Sequence, residues 1–415
     1  MITSLPDPAR RAVVTGVGAI APTGVGTAPY WSATKLGQSA IRAISRFDAS
    51  SYSTQFAGEV ADFEAADYVD RRLTVQTDRW TWMALAAAQM AFEDAAFDPA
   101  EHDPFAMSVI TASSSGGVEF GQVEIQKLWA QGPRFVGAYQ SIAWFYAATT
   151  GQISIRYGMK GHSGVVATEG AGGLEALAQS RRALRRGMDA VVSGGLEAPL
   201  CPYALCCQTG NGRMSTIPAT TAYRPFDERA SGYLPGEGGA ILLVETLEAA
   251  RRRGADIYGE IAGYGATNDA RLPTDGPPDG THLARAIRIA LDDARMTPDE
   301  VDLVLADGAG SVDADAAEAQ ALYAALGDRA RTVPVTIPKT MIGRTYAGGA
   351  SLDAAAALLS MRDGIIPPTI NLERPAPGCE LRFVRNAETA DVRNVLILAR
   401  GYGGFNSALV LRRDV

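Results

Sequence analysis

The chain has 415 residues, 47% of them hydrophobic and 20% charged, which is enough for one large domain or two closely packed halves. Its formal net charge of −8 argues against nucleic acid and against acidic lipid surfaces as partners. The four cysteines and three histidines lack disulfide or metal-ligand spacing, and no apolar segment of membrane-spanning length occurs. We therefore expect a soluble, cytoplasmic, reduced protein without a metal site.

Strands and helices alternate along the chain, which predicts the α/β class. The strand-plus-glycine pattern of residues 12–20 returns weakly at residues 258–267, so the second half begins near Ile257 as a duplicate of the first. The other predicted strands are residues 109–112, 165–167, 188–196, 240–245, 301–306, 396–400 and 408–412. The predicted helices are residues 28–37, 79–96, 118–131, 174–186, 246–253, 281–295, 316–326 and 351–362.

Residues 164–179 form the stretch around which the chain is organised. They predict the end of a buried strand at residues 165–167, a sharp glycine turn and then a helix. Such a turn places one side chain at a helix N-terminus, where free N–H groups would activate a thiolate or hydroxyl. Gly170 stands where that nucleophile is expected. A phosphate-binding loop is the rival, but the glycine spacing is wrong and Glu169 would repel phosphate.

Two more segments carry residue types that occur in catalytic sites or at subunit interfaces. Ser113–Ser115 follow a strand, but no G-x-S-x-G motif surrounds them, so we predict turn residues rather than hydrolase nucleophiles. Residues 135–157 are apolar and aromatic, which is typical of a core or subunit-interface helix. The aromatic residues concerned are Tyr139, Trp144, Phe145 and Tyr146.

The helix at residues 118–131 carries Val118, Gly121 and Ile125 on one face, at positions i, i+3 and i+7. This stripe contains no aromatic side chain. An ordinary small-residue packing face would have the same pattern. The larger apolar residues off this stripe are predicted to lie in the core: Phe120, Leu128 and Trp129.

Taken together, the chain resembles the ketosynthase branch of the thiolase-fold enzymes, and more narrowly the chain length factors, the beta ketosynthase subunits of bacterial type II polyketide synthases. This resemblance implies a five-layered αβαβα fold made of two similar halves, residues 1–253 and 254–415. The matching motifs occur in order at residues 13–18, 151–156, 193–195, 212–216, 225–227, 232–239, 368–373 and 401–406.

In an active ketosynthase of this family, a cysteine carries the acyl chain as a thioester, and two histidines assist decarboxylation and stabilise the enolate. The resemblance places the cysteine position on Gly170, within the degenerate turn at 164–179. The histidine positions fall on Asp307 and Arg344, in degenerate loops at 307–315 and 339–350. The accompanying residues of these loops are Asp315, Glu318, Lys339 and Gly343.

All three catalytic side chains are therefore replaced, and no catalytic residue is expected. Chain length factors usually carry glutamine at the cysteine position, from which Gly170 departs. Glu169 and Lys339 are possible accessory residues, although a capping or solvent-facing role for Glu169 is favoured.

The resemblance implies a non-condensing subunit that pairs with a ketosynthase alpha subunit as a heterodimer and works with an acyl carrier protein. The growing poly-β-keto chain would fill a tunnel at the shared interface, where Val118, Gly121 and Ile125 match the positions that limit its length. Without aromatic side chains there, we expect a long product, of the decaketide class or longer. No cofactor or metal is implied. The alternatives are an independently active ketosynthase or malonyl decarboxylase, and a scaffolding homodimer.

Overall fold

A computed structural model describes residues 8–271 and 279–415. Its helices, in chain order, are α1 Thr27–Lys35, α2 Arg71–Gln76, α3 Arg79–Asp94, α4 Val118–Gln131, α5 Gln140–Ala143, α6 Ala148–Arg156, α7 Gly172–Arg185, α8 Pro202–Thr209, α9 Leu247–Arg252, α10 Thr281–Ala294, α11 Val312–Leu326 and α12 Ala347–Asp363. Its strands are β1 Ala12–Ala21, β2 Gly24–Val25, β3 Ile41–Ala43, β4 Phe56–Gly58, β5 Met107–Ala112, β6 Ser163–Val166, β7 Ala190–Glu197, β8 Gly238–Thr246, β9 Gly259–Asn268, β10 Leu303–Leu305, β11 Pro334–Thr336, β12 Ile365–Ile366, β13 Arg382–Phe383, β14 Glu388–Thr389, β15 Asn394–Gly401 and β16 Phe405–Arg412.

The main sheet repeats one strand order twice. The first half runs β6-β5-β7-β8-β1, and the second runs β11-β10-β15-β16-β9. Numbered within each half, both follow the order third, second, fourth, fifth, first. The halves meet where β1 pairs antiparallel with β9, at Val13–Glu260 and Val14–Gly259. The duplication that the sequence suggests near Ile257 is thus visible in the topology.

The core clusters show five layers of alternating helix and sheet. In the middle, α7 and α12 pack against each other and against strands of both halves, with Leu177 and Leu358 among their buried residues. On one outside face, α3 covers the first half, with Trp80 buried. On the other, α10 and α11 cover the second half through Ile287 and Leu322. This is the expected αβαβα arrangement.

Close approach of the central helices depends on glycine. A Cβ on Gly173 of α7 would lie 2.5 Å from the carbonyl oxygen of Ala347. A Cβ on Gly348 of α12 would lie 2.1 Å from the carbonyl oxygen of Gly238 in β8. Both distances are too short for a methyl group, so these positions fix how closely the layers pack.

Three local expectations were wrong. The strand at residues 165–167 was expected to be buried, but β6 is half-exposed because it forms an edge of the sheet and pairs only with β5. Phe120, Leu128 and Trp129 were expected in the core, but the first two are half-buried and Trp129 is 82% exposed, because α4 lies on the surface. The aromatic segment 135–157 holds two short helices, α5 and α6, instead of one.

Candidate functional site

The turn between β6 and α7 is held by Glu169. The backbone of this residue adopts a left-handed conformation with φ of 49°, which is uncommon for a residue other than glycine. Its Oε2 accepts hydrogen bonds from the amides of Gly170 (2.6 Å) and Tyr402 (2.8 Å). The carboxylate therefore ties the turn to the loop after β15, while the N-cap of α7 is Ala171, which offers no side-chain cap.

Position 170 has no room for a nucleophile in this backbone arrangement. A Cβ built on Gly170 would lie 2.5 Å from the carbonyl oxygen of Arg400 and 3.3 Å from Nη2 of Arg344. A backbone carbonyl cannot move aside as a flexible side chain can. A cysteine at this position would force the turn and the end of β15 apart.

Asp307 and Arg344, which the resemblance predicts to be the two degenerate histidine positions, come together as a buried ion pair. Arg344 Nη1 lies 3.0 Å from Asp307 Oδ2, and Nη2 lies 3.1 Å from Oδ1. Arg344 also donates to the carbonyl oxygens of Asp307, Gly308 and Arg400 at 3.2 to 3.3 Å. Asp307 is 2% exposed, and its Oδ1 also accepts from the amide of Arg400 at 3.1 Å. Such a two-pronged geometry is the strongest form of this contact.

Electrostatics keep both partners charged. Burial alone would raise the pKa of Asp307, but the positive charges of Arg344 and Lys339 outweigh it and lower that pKa. Burial alone would lower the pKa of Arg344, but Asp307 outweighs it and raises that pKa well above the usual value. Neither residue can act as a proton shuttle near neutral pH.

Two buried acids support the loop that carries Asp307. Glu318 accepts from the amides of Asp307 (2.6 Å) and Gly308 (2.9 Å). Asp315 accepts from the amides of Phe226 (2.9 Å) and Gly310 (3.0 Å). Burial, more than any neighbouring charge, raises the pKa of Glu318 to about 7 and that of Asp315 to about 8.

Lys339 is engaged in the same buried region. Its Nζ pairs with the carboxylate of Asp353 on α12 and donates to the carbonyl oxygen of Ala306 at 3.3 Å. Burial raises the pKa of Asp353 to about 6 in spite of this partner. Lys339 therefore links α12 to the end of β10 and does not reach the open cleft.

A cleft of about 700 Å³ opens in front of the ion pair. Its acidic and basic residues balance in number, and its described lining contains neither cysteine nor histidine. Arg213 at its rim stacks over the ring of Tyr402, with 4.9 Å between the guanidinium carbon and the ring centroid. The charged lining residues are Glu169, Asp269, Asp307, Asp313, Arg213, Arg271, Arg344 and Arg400.

On helix α4, the structure places the three residues of the predicted stripe in different surroundings. Val118 is half-buried, Gly121 is buried and Ile125 is 40% exposed. A Cβ on Gly121 would lie 2.6 Å from Cδ1 of Trp144. The space left by the missing side chain is therefore taken by an indole from the segment after α5.

The start of α4 is fixed by carboxylates that the sequence analysis did not single out. Asp78, the N-cap of α3, accepts from the amides of both Trp80 (3.1 Å) and Phe120 (2.8 Å). Glu197 of β7 accepts from the amide of Ser114 at 2.6 Å and from the hydroxyl of Ser115. Ser113–Ser115 are thus turn residues, as predicted. Burial raises the pKa of Asp78 and of Glu197 to about 7.

An aromatic patch occupies the surface beside α4, and we define it by Phe135, Tyr139, Ile142, Trp144, Phe145 and Tyr146. Each of these residues is 38 to 51% exposed. Contiguous exposed aromatic surface marks a site of protein association. Of the two possibilities left by the sequence, core or interface, exposure favours the interface.

Residues 8–271 and 279–415, which the structure describes, contain no group of three or more metal-ligating side chains placed to hold an ion. No helix among them has the length and apolar character needed to cross a bilayer.

Comparison with known proteins gives consistent matches along the chain. Residues 9–250 match the family model "Beta-ketoacyl synthase, N-terminal domain", and residues 258–373 match "Beta-ketoacyl synthase, C-terminal domain". The tetracenomycin polyketide synthase ketoacyl synthase beta subunit of Streptomyces glaucescens is 52% identical over 405 residues, covering 97% of this chain and 98% of the relative.

Solved structures agree with this result. A chain of the ishigamide ketosynthase/chain length factor superposes with a TM-score of 0.91 and 31% identity, covering 98% of this chain and 100% of that one. A chain of AntDE:AntF, a type II polyketide synthase acyl carrier protein in complex with its ketosynthase bound to the hexaketide, gives a TM-score of 0.89 and 29% identity, with the same coverage.

Proposed function

The chain belongs to the beta-ketoacyl synthase family, and from that membership we propose that it is a chain length factor that cannot itself condense acyl units. It pairs with a ketosynthase alpha subunit, and the pair extends a poly-β-ketoacyl chain with malonyl units delivered on acyl carrier protein. The chain's part is to shape the cavity at the shared interface and thereby to set product length.

The observation that carries this proposal is the Asp307–Arg344 ion pair beside Gly170. Condensation needs a nucleophile for the acyl chain, and Gly170 offers none while its neighbours leave no space for one. It also needs groups that stabilise an enolate oxygen. The carboxylate of Asp307 would oppose that negative charge, and Arg344 is already committed to Asp307.

The surface beside α4 supports pairing with a second subunit. The aromatic patch supplies the apolar area that interfaces favour. Strand β6 adds an edge whose backbone groups on the far side have no partner strand among the described residues. In the proposed heterodimer the partner covers both features, so water is excluded from the chain growing between the subunits.

The proposed functional segments are distributed between the two duplicated halves. We propose that residues 1–253 form the half with the tunnel helix and degenerate nucleophile turn, and residues 254–415 the half with the degenerate histidine loops. The boundary falls between the end of α9 at Arg252 and the start of β9 at Gly259.

Reconstitution tests the assignment. The purified chain, incubated with malonyl acyl carrier protein, is expected to release no condensed product, and mass spectrometry is expected to find no acyl adduct on it. Addition of a ketosynthase alpha subunit restores poly-β-ketoacyl formation. An acyl adduct and turnover on the isolated chain would instead support an independently active enzyme. Stable homodimers that ignore the ketosynthase would support a scaffold.

The substitution Gly121→Phe tests the length-setting role. We expect a shorter product from the reconstituted pair, because the added ring must displace Trp144 or protrude beside Val118 and Ile125. Product masses measured by liquid chromatography and mass spectrometry give the length. Gly151→Ala on α6 serves as a control, since a Cβ there meets nothing within 4 Å. An unchanged length with Gly121→Phe would contradict the role.

A malonyl decarboxylase using Glu169 or Asp307 is the weaker candidate. The carboxylate of Glu169 is occupied by two backbone amides, and that of Asp307 by Arg344. Neither is free to act as a base toward a substrate in the cleft.

A further inference from the structure

Helix α4 begins against the segment after α5 with unusually close contacts. Gly116, Gly117 and Gly121 all face residues 143–146: a Cβ on Gly117 would lie 1.9 Å from the carbonyl oxygen of Ala143. The amide of Gly117 donates to the carbonyl oxygen of Trp144 at 3.1 Å. Three glycines at one contact let this segment lie directly on the helix, and the indole of Trp144 fills the notch at Gly121.

We propose that Trp144, seated on Gly121, is the side chain that sets the depth of the tunnel, so that chain length is determined by this pair rather than by the α4 stripe alone. The inference rests on the proposed function, because it assumes that the tunnel passes along α4. It adds a specificity-determining residue outside the helix that the sequence pattern indicated.

Trp144 is much more exposed than the tryptophans that have a structural role in the core. Trp80 is 1% exposed within the core, and the indole nitrogen of Trp31 donates to Asp363 at 2.6 Å. Trp144 is 46% exposed. Its Cδ1, Cγ and Nε1 atoms would lie 2.6 to 3.4 Å from a Cβ on Gly121, so the five-membered ring is the part that packs on this glycine.

The position of the ring makes it part of any cavity at that surface. Val118 and Ile125 lie one turn to either side of Gly121 on the same face of α4. A cavity bordered by these two residues must also be bordered by whatever covers Gly121, which is the indole. Its size, and not the absence of a side chain at position 121, then limits how far an acyl chain can extend.

Two substitutions test the proposal in the complete complex with ketosynthase and acyl carrier protein. Trp144→Ala removes the indole and is expected to lengthen the main product by about one or two malonyl units, because a deleted ring leaves a hollow that the surroundings only partly fill. Trp144→Phe is expected to give an intermediate shift. Trp129→Ala, which removes an exposed indole near the other end of α4, is expected to leave product length unchanged.

A double substitution distinguishes a change in tunnel depth from a general loss of packing around Trp144. Gly121→Phe/Trp144→Ala is expected to return the product toward the original length, since the new ring can occupy the space that the indole vacates. Co-purification of the two subunits checks that each variant still assembles. If a variant does not assemble, the milder Trp144→Phe supplies the measurement.

The possible failures are distinguishable. If Trp144→Ala and Trp144→Phe leave length unchanged while Gly121→Phe shortens the product, the α4 stripe acts alone and the proposal about Trp144 is overturned. If no substitution at either position changes the length in an active complex, the length-setting function itself fails.

Discussion

The guanidinium of Arg344 donates at once to Asp307 and Gly308, in the loop after β10, and to Arg400, near the end of β15. At this site the residues at the predicted histidine positions have a structural role: Arg344 ties the loop before α12 to the ends of β10 and β15. That Asp307 and Arg344 stand at the predicted histidine positions could be inferred from the motifs alone. Their ion pair could not, because 37 residues separate Asp307 from Arg344 and no sequence pattern encodes that contact.

This contact should be important for stability. We expect Arg344→Ala to lower the free energy of unfolding by about 3–5 kcal/mol, because it leaves the carboxylate of Asp307 buried without its counter-charge. Urea unfolding followed by circular dichroism measures the loss. Arg382→Ala, which breaks an exposed pair with Glu388, is the matched control and should cost about 1 kcal/mol or less. Equal losses for both variants would show that the buried pair has no special role.

At the scale of elements, periodicity located the helices well but did not reveal what each face meets. The bounds of α4 were predicted as 118–131, and the structure has Val118–Gln131. The same periodicity placed Trp129 in the core, although it points into solvent. A hydrophobic stripe shows which side of a helix is apolar. The sequence pattern of a helix face that binds another subunit is the same as that of a face packed in the core. The position of Trp144 over Gly121 depends on tertiary packing between two segments and lies beyond any periodic signal.

Packing of the central layer offers a test at this scale. Gly173→Ala should destabilise the chain by about 1–3 kcal/mol, since overpacking against Ala347 outweighs the better helix propensity of alanine. Gly151→Ala on α6 has open space and should instead stabilise by up to about 1 kcal/mol. The two glycine-to-alanine changes are identical chemically, so opposite signs in urea unfolding would isolate the packing of α7 on α12. A stabilised Gly173→Ala variant would contradict the close approach.

The whole molecule is a duplicated unit whose two halves share the same strand order. The α/β class follows from the alternation of elements, and the second half was indicated by the echo of residues 12–20 at 258–267. The sequence did not reveal that buried acids stabilise a loop in each half, the one before α4 and the one that carries Asp307. Asp78 and Glu197 do this in the first half, and Asp315 and Glu318 in the second. These carboxylates accept from amides distant in the chain, so their role appears only in the folded state.

The buried acids are expected to make the folded chain less stable as the pH rises. Their folded-state pKa values of about 7 to 8 exceed the values near 4 expected in the unfolded chain, with burial as the main cause. From about pH 4.5 to 7, folding therefore takes up protons, and the free energy of unfolding falls as pH rises.

Thermal denaturation at pH 5.5 and 8.0 checks this expectation, and the midpoint should be higher at pH 5.5. Asp307 does not oppose the trend in this range, because its lowered pKa confines its own contribution to more acidic conditions. Glu197→Gln should reduce the slope, since an amide cannot titrate. Its oxygen can still accept from the amide of Ser114, but its NH₂ cannot accept from the amide of Ser115 as Oε2 does at 3.2 Å, so a lower midpoint at both pH values is also expected. A midpoint that rises with pH, or a slope that Glu197→Gln leaves intact, would mean that these carboxyls are already ionised in the folded chain.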